Sequence, residues 1–198
     1  MKALLLIGPT GSGKSPLGNL LEKETGWYHF DFGNHLRAIA GGSDAHGLSD
    51  EEAAYVKHLV NTHELFPFEK LFIVQKILDH ACAADTPGII LNGIPRTVEQ
   101  ADALELNVVG VVELSCTPEI VAKRVRKRHT GETSDHTERS DDTPQAIQKK
   151  LVTYEQSTRP LVEYYRAKEV PVINIAVEID TAENDLLPKL ISFIGEHT

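Results

Sequence analysis

The stretch Gly8-Pro9-Thr10-Gly11-Ser12-Gly13-Lys14-Ser15 constrains this chain more than any other. It follows the apolar run Ala3-Leu4-Leu5-Leu6-Ile7 and opens a helical pattern carrying Leu17, Leu20 and Leu21. Strand, glycine-rich turn and helix, with the spacing G-x-x-x-x-G-K-S, form the context of a phosphate-binding loop. Glycines let the backbone curl with its N–H groups inward, and the helix that follows adds its positive end. Lys14 can reach β- and γ-phosphates, and Ser15 can offer a hydroxyl to Mg²⁺. The motif predicts a nucleoside triphosphate site.

Downstream, apolar strand patterns alternate with helical ones. Expected strands are Trp27–Phe30, Ile89–Leu91, Val108–Ser115 and Val170–Ile175. Ser49-x-x-Glu52 reads as a capping box for a helix to about Asn61, and Thr97 and Thr117-Pro118 read as further helix starts. Thr143-Pro144 opens a long expected helix with Ile147, Leu151, Tyr154, Leu161, Val162 and Tyr165 on one face. Asp180-x-x-Glu183 is expected to cap a last helix ending near Phe193. Alternation of this kind predicts an α/β fold, a three-layer P-loop NTPase architecture with a parallel five-stranded sheet covered on both faces.

The 198 residues suffice for one such domain. A net charge of −9 disfavours non-specific nucleic-acid binding. No apolar run approaches membrane-spanning length, so neither nucleic acid nor membrane is expected as a partner. Cys82 and Cys116 form neither a disulfide framework nor a C-x-x-C pair. With no leader pattern at Met1-Lys2, a cytoplasmic protein is expected.

In a parallel sheet, ligands sit beyond the carboxyl ends of the strands. The phosphate loop, Asn92-Gly93-Ile94-Pro95-Arg96 and the segment after Phe30 converge there by chain order. Arg96 is placed to grip a phosphate with its planar fork, or else is a surface arginine. Arg124 and Arg128, four apart, share a helix face. With Arg139 they bracket a polar segment from His129 to Asp142 and resemble a clamp over phosphates. Lys123 and Lys127 read as a solvated helix face, and the nine histidines show no metal-ligand spacing.

These motifs together resemble the adenylate kinase family of nucleoside monophosphate kinases, in a short-lid form. The resemblance covers nearly the whole chain. It rests on Gly8–Ser15, Gly33-Asn34-x-Leu36-Arg37, Asn92-Gly93-x-Pro95-Arg96-Thr97 with Gln100, Arg124/Arg128 with Arg139-x-Asp141-Asp142, and the tail from Tyr154 to Tyr165. It implies reversible transfer from MgATP to a nucleoside monophosphate, AMP foremost, by a monomer. It also implies a core (1–31, 67–128, 140–198), an acceptor lobe (32–66) and a lid (129–139).

The resemblance assigns ATP contacts to Gly11, Ser12, Gly13, Lys14, Ser15, Pro16 and Arg124, the last beside the donor adenine. It assigns the acceptor to Phe32, Gly33, Leu36, Arg37, Phe66, Gly93, Arg96, Gln100 and Arg139, with Gln100 reading the base. Lys14, Arg96, Arg128, Arg139 and Lys150 are the implied catalytic set, and Ser15 with Asn92 would hold Mg²⁺, the latter through water. Five positions depart from the family pattern: Asn34 replaces a common aspartate, Phe32 stands where adenylate-specific members often carry threonine, and three more concern the donor side. Pro16 lacks an N–H near the α-phosphate, Asn92 replaces an aspartate, and Lys150 replaces an arginine. They leave two alternatives: a nucleotide-binding sensor or partner module with little activity, and a kinase for CMP, UMP or another small acidic acceptor.

Overall fold

The protein is described from a computed structural model covering residues 1–43, 46–62, 64–83, 85–130 and 143–197. Strand β1 (Lys2–Ile7) shows why the fold has three layers. With a two-residue period, Ala3, Leu5 and Ile7 face one way and Leu4 and Leu6 the other. Both sets are buried, in two separate apolar clusters. A strand apolar on both faces must lie inside a sheet sandwiched by helices.

β1 is central. β2 (Tyr28–Asp31), β3 (Gly88–Asn92), β4 (Asn107–Ser115) and β5 (Val172–Ala176) complete an all-parallel sheet in the order β2-β3-β1-β4-β5. The chain leaves β1, passes over the place β3 will fill and forms β2 beyond it. A crevice opens at such a switch point, at the carboxyl ends of β1, β2 and β3. The register Asp31↔Asn92 and Leu6↔Asn92 brings those ends level.

Helix α1 (Lys14–Thr25) starts at Gly13, whose φ of 94° only glycine adopts without strain, and stops at Gly26 in the left-handed region. Its Leu17 and Leu21 pack with Leu190, Phe193 and Ile194 in one cluster. α2 (Phe32–Ala40) is capped by Asp31, which accepts from the Asn34 N–H. The expected box opens α3 (Asp50–Thr62): the Ser49 N–H donates to Glu52, and the Glu52 N–H to Ser49 Oγ. α4 (Leu71–Ala81) buries Leu71, Val74, Ile77 and Leu78, which share one helix face. Thr97 and Thr117 cap α5 (Val98–Ala103) and α6 (Pro118–His129).

Two expectations are corrected. The long helix is broken into α7 (Pro144–Thr153) and α8 (Pro160–Ala167), joined by a π-helical turn, Tyr154–Thr158. Pro160 has no N–H for the helical ladder and its ring crowds the preceding turn, so the backbone widens and the Arg159 N–H bonds Tyr154 O at 2.8 Å. The last helix, α9 (Glu183–His197), runs past Phe193 and is not capped by Asp180. The Asp180 carboxylate accepts from the Lys127 ammonium at 2.5 Å, a charged and therefore stronger donor than a backbone amide. Asp185 takes the local role instead, accepting from the Ala182 N–H.

Candidate active site

A cavity of about 460 Å³ lies over the carboxyl ends of β1, β2 and β3. The phosphate loop forms its floor. Lys14 folds back over that loop, its ammonium donating to Gly8 O and Pro9 O at 2.7 Å each and to Ser12 Oγ at 3.4 Å. Ser12 is buried beneath the loop. Pro16 is the third residue of α1, where an N–H has no intrahelical partner, so the proline costs the helix no hydrogen bond.

Beside the loop, Ser15, Asp31 and Asn92 form a triangle. Ser15 Oγ donates to Asp31 Oδ2 at 2.5 Å. Asn92 Nδ2 donates to the same Oδ2 at 2.9 Å and lies 3.2 Å from Ser15 Oγ. All three residues line the cavity.

Two arginines enter from the far wall. A methyl group at Gly33 would sit 3.2 Å from Arg37 Nη1, and one at Gly93 would sit 3.6 Å from Arg96 Nη2 and 3.8 Å from the Gly33 nitrogen. The two glycines thus adjoin, and the guanidinium groups lie over this shared side-chain-free floor. Arg96 is steadied by Nε–H to Gly93 O at 2.9 Å, and Arg37 by a bond to Asn34 Oδ1. Both line the same cavity as Lys14, Ser15, Arg128 and Lys150.

Arg124 closes the opposite end. Nε donates to Gly11 O at 2.9 Å, and Nη1 reaches the carbonyls of Glu178, Ile179 and Thr181 at 2.8–3.2 Å. Burial lowers its pKa from the ordinary guanidinium value, yet arginine stays charged. Arg128 is buried against the cavity, at 6% exposure. Arg139 and the expected lid from residue 131 onward lie outside the described residues.

Other expected contacts sit behind the wall. Gln100 is 2% exposed. Its amide donates to Phe66 O at 2.6 Å and accepts from the Arg96 N–H at 2.7 Å, so both ends brace the backbone around the arginine. Phe32 and Phe66 are buried and meet edge to face at 5.7 Å. Leu36 is half-buried beside them, and none of the four lines the cavity. Asp31 is the residue that motif reading missed. Its signal in the sequence is an acidic residue ending a strand pattern, which reads equally well as a helix cap.

The adenylate kinase family profile matches residues 6–170. Among curated proteins, the adenylate kinase of Brucella melitensis is 34% identical over 196 residues, covering 91% of this chain and 95% of that protein. That of Parvibaculum lavamentivorans is 34% identical over 174 residues (83% and 80%). That of Nitrobacter hamburgensis is 30% identical over 202 residues (97% and 93%). A phosphate loop facing a pair of convergent arginines, on this sheet order and with these relatives, leads to one assignment: the chain belongs to the adenylate kinase family.

Proposed function

We propose that this chain transfers the γ-phosphoryl group of ATP to AMP, giving two molecules of ADP. One observation carries the reading. Arg37 and Arg96 share a cavity with Lys14, so a phosphomonoester pocket faces the triphosphate loop. A triphosphate loop alone serves many NTPases; a second anion pocket facing it calls for a second phosphorylated substrate.

Phosphoryl transfer asks the protein mainly for alignment and charge stabilisation. Arg37 and Arg96 grip the AMP phosphate and hold one of its oxygens toward the γ-phosphorus. That oxygen is already an anion, so no general base is required. As its bond to phosphorus forms, the bond from the γ-phosphorus to the β–γ bridging oxygen breaks, and ADP departs with the electron pair. Lys14 exchanges the Gly8 and Pro9 carbonyls for β- and γ-phosphate oxygens. Arg128, with Arg139 and Lys150, balances the charge that spreads over the transferring group. Arg124 walls the donor base.

The side chains beside the loop supply hydroxyl and carboxylate oxygens, which suits a hard cation such as Mg²⁺. Among the described residues no group of three His, Cys, Asp or Glu could hold a metal by itself, in keeping with an ion that arrives on ATP. Ser15 would hold it from the loop, with Asp31 and Asn92 alongside that hydroxyl. When bound, Mg²⁺ neutralises charge between the β- and γ-phosphates.

Residues 32–66 act as the acceptor lobe and 129–139 as a short lid on a core of 1–31, 67–128 and 140–198. The packing of α2 on α3 supports the first of these, with Arg37 carried on α2. Two free thiols, Cys82 and Cys116, suit a reducing cytoplasm. No helix among the described residues is long and apolar enough to cross a membrane. The silent-module and CMP/UMP alternatives are not favoured: Pro16 is accommodated, Lys150 lines the cavity, and the relatives are adenylate kinases. A coupled assay of ATP with AMP, CMP, UMP and GMP tests the reading. ADP formation is expected with AMP above the other three, and none with any acceptor would overturn it.

A further inference from the structure

Asn92 is poorly suited to a magnesium site. An amide oxygen is neutral, and the Asn92 amino group is committed to Asp31 and Ser15. A P-loop site ordinarily pairs the loop hydroxyl with a carboxylate on a neighbouring strand. Here the carboxylate beside that hydroxyl is on β2, one strand farther out than Asn92.

Asp31 has the geometry this requires. It is 7% exposed and lines the cavity. Its two oxygens do different work. Oδ1 accepts the Asn34 N–H at 3.0 Å, which fixes the carboxylate to the first turn of α2. Oδ2 turns to the loop and accepts from Ser15 Oγ and Asn92 Nδ2. Ser15 Oγ gives its one proton to the carboxylate and accepts from Asn92 Nδ2 at 3.2 Å, which leaves one lone pair for a cation. Asn92, in register with Asp31 across the β2–β3 pair, supplies the donor that aims Oδ2 at Ser15.

We propose that Asp31 is the magnesium-site carboxylate of this protein, acting with Ser15, and that Asn92 is a positioning residue that orients it. Aspartate at the end of β2 and asparagine at the end of β3 are then two halves of one relocated site. Because Asp31 also caps the helix bearing Arg37, the metal side of the cavity is tied through one side chain to the acceptor side. The proposal rests on the MgATP reading above.

The test is calorimetric titration of the full chain with ATP, in Mg²⁺ and in EDTA, with the ratio of the two dissociation constants as readout. Mn²⁺ in place of Mg²⁺ gives an independent spin-resonance signal for bound metal in the ternary complex. Wild type is expected to bind ATP more tightly with Mg²⁺. Asp31→Asn keeps shape and helix cap, since asparagine caps as well as aspartate. It should reduce that gain by about 10–100-fold, the usual scale for a residue supporting a metal site. Asp31→Ser, also a good cap without charge, serves if the first variant does not fold. A gain in either folded variant equal to wild type overturns the role of Asp31, as does a wild type that binds ATP equally with and without Mg²⁺. Wild type that binds no ATP under either condition overturns the kinase reading itself.

Discussion

Arg124 Nε donates to Gly11 O at 2.9 Å, joining positions 113 residues apart in the chain. The same guanidinium takes three carbonyls from the segment Glu178–Thr181. One side chain thus ties the phosphate loop to the connection after β5. Arg124→Ala is expected to lower stability by about 1.5–3 kcal/mol, the scale of hydrogen bonds to a charged group, and to raise KM for ATP. Urea denaturation and initial-rate kinetics check both. Unchanged values would show that the carbonyls find water equally well.

In the proposed reaction Arg37 and Arg96, which line one cavity, grip a single phosphate. Arg37→Ala and Arg96→Ala should each lower kcat/KM for AMP by about 10²–10³-fold, the usual loss of one preorganised donor to developing charge. Because the two groups flank a single floor, the double variant should fall short of the product of the single effects. A fully multiplicative loss would mean that they serve separate ligands.

Gly18 in α1 is pressed against an imidazole. A methyl group there would lie 2.1 Å from His29 Nε2 and 2.4 Å from Cδ2. His29 cannot swing aside freely, because it is buried and its Nδ1 is 2.8 Å from Asn19 Oδ1. Gly18→Ala adds about 0.5–1 kcal/mol of helix preference, but overpacking of about 1–3 kcal/mol opposes it. Net destabilisation is expected in thermal melts, against the propensity rule for a helical glycine.

His29 also makes stability depend on pH. Burial lowers its pKa below the ordinary 6.5, against the opposing pull of Asp31 and Glu22. The unfolded chain therefore takes up this proton first as pH falls. The contribution of neutral His29 is complete above about 6.5 and is lost as pH drops from there toward the lower folded value. Melting temperatures between pH 5 and 8 should fall less steeply on the acid side in His29→Gln than in wild type. Parallel curves would place the acid sensitivity elsewhere.

Local chemistry was legible in the sequence. The glycine loop, the Ser49–Glu52 box and the threonine caps at 97, 117 and 143 depend on hydrogen bonds and backbone angles within four residues, so their patterns stand complete in the chain. The apolar run of β1 likewise announces a strand buried on both faces. The cap assigned to Asp180 and the unbroken helix past Thr153 failed for different reasons. A charged partner from α6 claimed the first, and a proline at 160 reshaped the second.

What only the tertiary structure decided are the meetings across strands. Asp31 looks like a helix cap until the β2–β3 register sets it beside Asn92 and the loop hydroxyl of Ser15. Gln100 looks like a base reader until its amide is found bracing Phe66 and Arg96. His35 of α2, His46 and His80 of α4 look unrelated until the loop carrying His46 sets its ring against the other two. A strand pattern states which faces are buried but not which strand lies next to it, and that choice is made by the packing of the whole sheet. The sequence by itself therefore determined that a triphosphate loop exists and what chemistry it offers; the sheet order determined which carboxylate and which arginines stand opposite it.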